Sequence, residues 1–419
     1  MKGSRIADVL DRISPQGNGP FAIVAAWTSA AYDATRDRVL KAACGGNADW
    51  PGNEVFAFAP STGQWSLLRA SSPGSVYGAR GIVSASGSSP SVVTTTTAHG
   101  FRDGLFVAVA SSTNVFLGAG PVTVTGYPAN QFAIASLSGD PAGGAAQPAD
   151  DPYTDGNPSS VHTYGAQAYI PPPYDYLLRG PGARWPDGNS TSKMWGYRQA
   201  ANTWARLAPI APGGIQASHT HFIWDPITAK LYAWYGDTGA SGFSYYSSYD
   251  PALDTWTLLR KGDWAARVDW LTAAFDSKRR RFLLAGLKSP GIPVIAYRPI
   301  LGGAVTEATV DRSDVLAEFC ALSAPGFEYD ANSDRFIGWA ARTAGDGRST
   351  FVIDPSTSPW KIVKNTRNTG DEPPVTRNGN GVLAYKHFLS IGDGLMLLIP
   401  PTDITDDTYY YRVSASTSA

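Results

Sequence analysis

The sequence is poor in the residues that build metal centres, redox sites and disulfide frameworks. Its 419 residues include only two cysteines, Cys44 and Cys320, and five histidines. The two cysteines lie far apart and form no metal-spaced pair, and a disulfide framework needs more of them. The composition therefore gives no reason to place the chain in an oxidising compartment.

Long apolar runs and clustered positive charge are also missing. The first ten residues carry charges where a signal peptide needs an apolar stretch, and no segment approaches the roughly twenty apolar residues that span a bilayer. The net charge is −1, and the basic run at residues 278–281 precedes an apolar strand pattern, as a solvated turn does. We therefore expect neither a membrane nor a nucleic acid as partner, and we expect assembly in a cytoplasm.

Signatures of catalysis are missing as well. The chain contains no Gly-x-Ser-x-Gly, His-Glu-x-x-His, phosphate-loop or dinucleotide-binding motif. Its paired carboxylates, at residues 150–151 and 406–407, fall in linker or turn segments, where burial cannot shift a pKa for acid–base work. The sequence predicts no catalytic residue, no cofactor and no enzymatic activity.

Aromatic residues, glycine and proline are abundant instead. The chain holds 13 Trp, 20 Tyr and 16 Phe, together with 44 Gly and 31 Pro, while only 16% of its residues are charged. Aromatic side chains pack well on pleated surfaces, and Gly and Pro punctuate turns. This composition predicts an all-β protein.

Two sequence markers recur along the chain, and each is typical of a β-hairpin. The first is an aromatic–Asp step, a polar turn and a charged residue that opens an apolar strand; it occurs at Tyr32-Asp33 before Arg38, Trp224-Asp225 before Lys230, Phe275-Asp276 before Arg281, and Tyr329-Asp330 before Arg335. The second is an apolar or aromatic residue with Trp seven positions later, as in Phe58/Trp65, Tyr197/Trp204, Tyr249/Trp256 and Ile353/Trp360.

The spacing of these markers indicates a repeat architecture. Equivalent positions are separated by 137, 55, 51, 54 and 59 residues; they are Val39, Tyr176, Leu231, Phe282, Phe336 and Leu395. A period of about fifty residues with two hairpins per unit is typical of a propeller blade, and the first gap leaves room for one insertion. We predict a β-propeller of about six blades with one inserted small β-module.

The first repeat resembles a kelch blade. It combines Tyr32-Asp33, the double glycine in residues 44–47 (CGGN), the strand at residues 55–58 and Trp65. The resemblance implies a kelch-like propeller fold and leaves the function open. The predicted organisation is an arm at 1–20, a first blade at 21–81, the inserted module at 82–150 and the remaining blades at 151–419. We expect residues 408–412 to close the ring by pairing with residues 21–24.

The insertion carries its own strand pattern. Residues 92–101 (VVTTTTAHGF), 105–109, 121–125 and 130–134 read as short strands separated by Gly and Asn turns. This pattern resembles a small β-module that recurs in virion proteins of tailed bacteriophages, and it is similar to a structural part of ubiquitin-activating enzymes. The resemblance implies a component of a phage tail.

Few residues are candidates for a site. His219 and His221 are two apart, so on a strand both could ligate one metal; His162 occupies the corresponding repeat position, which favours a structural role instead. Contact with a ligand or partner is predicted for aromatic and cationic side chains on loops, the alternative being that the rings pack between blades: Arg184, Trp185, Trp234, Tyr235, Tyr245 and Tyr246.

The sequence as a whole favours a non-enzymatic structural protein of the phage virion, a ring-forming nozzle or hub of the tail. The expected partners are other tail proteins and further copies of the chain. Two alternatives stay open: a tail-fibre-type receptor protein that binds a host surface glycan, and a secreted kelch-type oxidase or carbohydrate-binding protein. The oxidase would use Cys44, tyrosines and His219/His221, although no matching motif is present.

Overall fold

A computed structural model gives an all-β architecture. It describes residues 3–10, 20–46, 49–72, 80–87, 89–101, 103, 106–112, 116–148, 157–184, 190–210, 217–237, 244–262, 264, 271–288, 291–321, 324–340, 348–374, 376–377, 380–381, 385–400 and 402–413. The helices in these ranges are short: single 3₁₀ turns at Ile6–Asp8 and Tyr385–His387, α1 at Ala22–Ala25 and α2 at Ser313–Cys320. None of them has the length and apolarity needed to cross a bilayer.

The chain divides into two compact units. One consists of Met1–Ala70 and Ser160–Ala419, and the other is Ser71–Ser159. Each unit has its own hydrophobic core.

The larger unit is built from small antiparallel sheets, numbered here in chain order. Within the described ranges, sheet 1 contains β1 Ala31–Asp33, β2 Arg38–Ala42, β3 Val55–Ala59 and β4 Gln64–Arg69. The smaller unit follows with β5 Arg80–Ser86, β6 Ser91–Thr95, β7 Phe106–Ala110, β8 Phe116–Thr123, β9 Gln131–Ile134 and β10 Ala145–Pro148.

The remaining sheets of the larger unit repeat the same strand order. Sheet 2 has β11 Gln167–Ile170, β12 Tyr176–Arg179, β15 Met194–Arg198 and β16 Thr203–Leu207, with a separate ribbon of β13 Gly182–Ala183 and β14 Ser190–Thr191. Sheet 3 has β17 Ala217–Asp225, β18 Lys230–Asp237, β19 Ser244–Asp250 and β20 Thr255–Lys261. Sheet 4 has β21 Leu271–Asp276, β22 Arg281–Lys288, β23 Ile292–Pro299 and β24 Thr306–Glu307.

The last two sheets complete the series. Sheet 5 has β25 Gly326–Asp330, β26 Arg335–Trp339, β27 Thr350–Asp354 and β28 Lys361–Asn365. A short ribbon of β29 Thr376–Arg377 and β30 Asn380–Gly381 precedes sheet 6, which has β31 Phe388–Ser390, β32 Leu395–Leu398 and β33 Tyr409–Arg412.

The first strands of these six sheets contact one another in a cyclic order. β1 contacts β11, and the contacts continue through β17, β21, β25 and β31 back to β1. Each neighbouring pair of sheets shares one cluster of buried apolar side chains. Successive residues of a strand therefore pack against different neighbouring sheets, because side chains alternate between the two faces of a sheet.

The aspartate of the first marker forms a tight turn, as predicted. Asp33 pairs with Arg38 across the hairpin, and its carboxylate accepts the backbone N–H of Thr35 at 3.1 Å and of Arg36 at 3.2 Å. The same pairing joins Asp225 to Lys230, Asp276 to Arg281 and Asp330 to Arg335. An Asp side chain stabilises a turn by accepting these amides, which explains why the marker requires it.

The second marker forms a cross-strand pair in three of its four occurrences. The aromatic residue lies opposite Trp in Phe58/Trp65, Tyr197/Trp204 and Tyr249/Trp256, with ring centroids 5.1–5.5 Å apart. Ile353 also lies on a hairpin, but it pairs with Ile362 because a longer turn separates β27 from β28. Trp360 instead stacks on Tyr297 of sheet 4 at 5.5 Å.

Sheets 1 and 6 are joined through the N-terminal segment, and the predicted pairing of residues 408–412 with 21–24 is wrong. Ala22–Ala25 is helical, and Tyr409–Arg412 pairs with Leu395–Leu398. The backbone N–H of Gly3 donates to the carbonyl of Thr408 at 2.8 Å, and that of Ala7 donates to Ile404 at 3.0 Å.

The smaller unit is a closed six-stranded barrel with the strand order β10-β5-β6-β9-β8-β7. His99 of the Ala-His-Gly-Phe stretch is a buried structural residue there. Its Nδ1 accepts the backbone N–H of Phe101 at 2.8 Å, so Nε2 carries the hydrogen that faces the Gln131 carbonyl at 2.8 Å. Burial lowers the pKa of His99, which keeps the ring neutral in this arrangement.

Candidate functional site

Polar side chains meet where the first strands of the six sheets converge. We call Thr28, Lys41, Glu328, Lys386 and His387 the central polar cluster. The backbone carbonyl of Lys386 accepts the N–H of Ala30, which precedes sheet 1, and its ammonium donates to the Phe222 carbonyl of sheet 3. The 3₁₀ turn that carries Lys386 also contacts β21 and β25. The turn that carries Lys386 thus contacts sheets 3, 4 and 5 and the segment that precedes sheet 1.

Lys41 is fully buried, and each of its three ammonium hydrogens has a hydrogen-bond acceptor. Its Nζ donates to Thr28 Oγ1 at 2.8 Å, to the Ser29 carbonyl at 3.1 Å and to His387 Nε2 at 3.0 Å. Burial lowers the pKa of Lys41 to about 8, so the ammonium form still predominates at neutral pH. A buried ammonium is tolerated only with such a set of acceptors.

His387 is held neutral by the same contacts. Burial first, and then the charge of Lys41, lower the pKa of His387 well below its ordinary value. Its Nδ1 lies 3.1 Å from the Ile399 carbonyl, which fixes the hydrogen on that nitrogen and leaves Nε2 as the acceptor for Lys41. The ring therefore serves as a hydrogen-bond bridge rather than a free base.

Glu328 and Lys386 form the second part of the cluster. Burial raises the pKa of Glu328 to about 7 and lowers that of Lys386 to about 8, while their mutual attraction opposes both shifts. Both residues are half-buried: Glu328 lies on β25 of sheet 5, and Lys386 donates to the Phe222 carbonyl of sheet 3.

The sequence-predicted histidine pair does not have the geometry expected of it. His219 has φ of +51°, and the pairing of β17 with β18 shifts register between Ser218 and His221. This bulge breaks the two-residue alternation on which a shared metal depends. His219 packs against Tyr164 with ring centroids 4.3 Å apart, whereas His221 is fully buried beside Gly165.

Metal-binding groups are not assembled elsewhere in the described ranges. No cluster of three or more His, Cys, Asp or Glu side chains with suitable geometry occurs among those residues. Cys44 is buried; its Sγ lies 3.2 Å from Gln167 Nε2 and 3.3 Å from the Ala42 carbonyl.

The predicted contact aromatics of sheet 3 are buried, so the prediction that they are exposed is wrong. Trp234 and Tyr246 are 0% exposed and pack toward sheet 4, while Tyr235 and Tyr245 are at most 4% exposed and pack toward sheet 2. Both faces of sheet 3 are covered by neighbouring sheets, and adjacent residues on each strand fill opposite interfaces. The alternative of packing between sheets applies to all four.

Of the other two predicted contact residues, the structure describes only Arg184. Arg184 is only 8% exposed and forms an isolated bridge with Val161, so it is not a surface residue of this chain. Trp185 lies outside the described residues.

Sequence reasoning missed the central polar cluster because its members come from distant segments with no shared motif. Thr28 precedes sheet 1, Lys41 lies on β2, Glu328 on β25, and Lys386 and His387 precede sheet 6. Only the cyclic arrangement of sheets brings them together.

Comparison with known proteins does not identify a family: no protein-family model matches the chain, and no curated protein matches it.

Proposed function

We propose that the larger unit is a kelch-like β-propeller of six blades. Three features support this: the six repeated sheets, the cyclic contacts of their first strands, and one apolar cluster for each neighbouring pair. A propeller packs small sheets around an axis because no single sheet can bury both of its faces.

The protein, in this proposal, is a non-enzymatic structural component of a phage tail that assembles into a homo-oligomeric ring. The observation that carries it is the insertion: a closed barrel with its own core interrupts an otherwise regular repeat. Such a module adds an attachment surface without disturbing the repeat. The resemblance of its sequence to phage tail modules supports the same role, and the three hydrogen bonds of buried Lys41 support a rigid scaffold.

The barrel supplies the contact between subunits in this proposal. Val83 on β5 is 55% exposed, although most large apolar residues of the barrel are buried. An exposed valine on a folded module is a natural component of an interface core.

Mass photometry of the purified chain tests the proposal. We expect a single closed oligomer, which the substitution Val83→Glu dissociates because it places a charge in the subunit contact. Ile227→Glu, at a position 70% exposed in the larger unit, is the matched control and should leave the oligomer intact. If the wild-type protein is a monomer at all concentrations, the proposal that it assembles into a ring is wrong.

A further inference from the structure

A cleft between sheets 5 and 6 has the composition of a ligand site. Its cavity volume is about 60 Å³, so a ligand there is enclosed only in part. Trp339 at the end of β26 lines it and is 2% exposed, and Tyr409 and Tyr411 of β33 line it as half-buried rings. Aromatic rings with polar tips at one cleft offer both apolar faces and hydrogen bonds.

The polar groups of the cleft carry opposite charges. Arg348 and Asp371 both line it and both are exposed. Among the residues that the structure describes, their side chains have no ion-pair or hydrogen-bond partner. A guanidinium only donates and a carboxylate only accepts. An anionic or cationic ligand would be repelled by one of the two, so the pair favours a neutral ligand that both donates and accepts.

A hydrogen-bonded chain holds the remaining polar groups in position. Asn365 Nδ2 donates to Asn368 Oδ1 at 2.9 Å, Asn368 Nδ2 donates to Thr350 Oγ1 at 3.0 Å, and the Thr350 hydroxyl donates to Tyr411 Oη at 3.2 Å. Because Tyr411 accepts in this chain, its own hydrogen is available to a ligand. Such preorganised groups lower the entropic cost of binding.

We infer that this cleft binds a neutral saccharide unit. A sugar ring presents a C–H face that packs on the half-buried rings of Tyr409 and Tyr411, and hydroxyls that accept from Arg348 and donate to Asp371. The inference goes beyond the proposed function and does not depend on it, because a ring-forming and a monomeric protein would carry the same cleft.

Saturation-transfer NMR and titration calorimetry of the full chain test the inference. The probes are methyl glycosides of glucose, galactose, mannose, rhamnose and N-acetylglucosamine, with glucosamine and N-acetylneuraminic acid as the charged comparisons. We expect at least one neutral glycoside to bind and both charged sugars to bind more weakly. Asp371→Asn and Arg348→Gln should each weaken binding about tenfold, as expected for loss of a hydrogen bond to a charged group.

Matched variants separate a binding role from a structural one. Asp371 and Arg348 are exposed, so their substitution should leave the melting temperature unchanged. Arg312→Gln and Asp314→Asn alter another exposed Arg–Asp pair and should leave binding unchanged. Tyr411→Phe keeps the ring, removes the hydroxyl and should weaken binding. Failure of every neutral glycoside to bind at high millimolar concentration, or binding insensitive to the three cleft variants, would overturn the inference.

Discussion

Single residues in this protein reconcile charge with burial, and Lys41 is the clearest case. Its ammonium lies between sheets 1 and 6, where water cannot solvate it, and three acceptors replace the lost hydration. The lowered pKa shows that burial still destabilises the charged form relative to the neutral form.

Substitution Lys41→Met should alter how stability depends on pH. The pKa of Lys41 is about 8 in the folded protein and about 10.4 in an unfolded chain, so the unfolded chain binds more protons between these values. The contribution of Lys41 to the free energy of unfolding therefore rises with pH from 8 to 10, by at most about 3 kcal/mol. Urea unfolding at several pH values should show a smaller rise in Lys41→Met than in the wild type, because Lys386, whose pKa is also lowered to about 8, still contributes in the variant. Lys361→Met, at an exposed position, should follow the wild type; equal slopes in all three proteins would contradict the prediction.

Hairpins are the elements that the sequence predicts best, because their signals are local. Asp33 and its counterparts accept amides two and three residues away, so the turn can be recognised within one short segment. The exposure of Trp234 and Tyr235 could not be predicted in the same way. The sequence of their strand is the same whether its two faces are covered by solvent or by other sheets. The packing of the neighbouring sheets determines which side chains are buried.

The tryptophans of the second marker differ in whether the indole N–H is bonded. Trp256 Nε1 donates to the Ala208 carbonyl at 3.1 Å and so ties sheet 3 to the end of sheet 2. Trp204 Nε1 is buried and has no hydrogen-bond partner among the described residues. The two rings otherwise hold equivalent positions opposite tyrosines.

Trp256→Phe should therefore destabilise the protein more than Trp204→Phe. Trp256→Phe leaves the Ala208 carbonyl without its hydrogen-bond donor. Trp204→Phe removes a buried N–H that makes no hydrogen bond within the described residues, so no acceptor there loses its partner. We expect a difference of about 1 kcal/mol in the free energy of unfolding, measured by urea titration with circular dichroism. A larger loss in Trp204→Phe would show that ring volume, and not the hydrogen bond, decides the effect.

At the scale of the whole molecule, the central polar cluster and the N-terminal segment depend on the order of the sheets. Neither could be read from the sequence, because Lys41 and His387 are separated by most of the chain and meet only when sheets 1 and 6 are neighbours. Fold class and hairpins follow from local pattern, whereas these contacts follow from the cyclic arrangement.

Ile6 tests whether the N-terminal segment holds sheets 1 and 6 together. Its side chain is 2% exposed and belongs to the apolar cluster that these sheets share, and the adjacent Ala7 bonds to Ile404. Ile6→Ala should lower the free energy of unfolding by about 2–4 kcal/mol through the cavity it leaves.

Tryptophan fluorescence can follow that unfolding in the larger unit alone, since all 13 tryptophans lie outside residues 71–159. Ile227→Ala makes the same chemical change at a position 70% exposed and should shift the urea midpoint little. If the two variants unfold alike, the segment that carries Ile6 contributes nothing to the junction, and sheets 1 and 6 are held together by their own contacts. A shift confined to Ile6→Ala instead makes residues 3–10 part of the junction, because a segment lying only on the surface would leave no buried cavity when Ile6 is truncated.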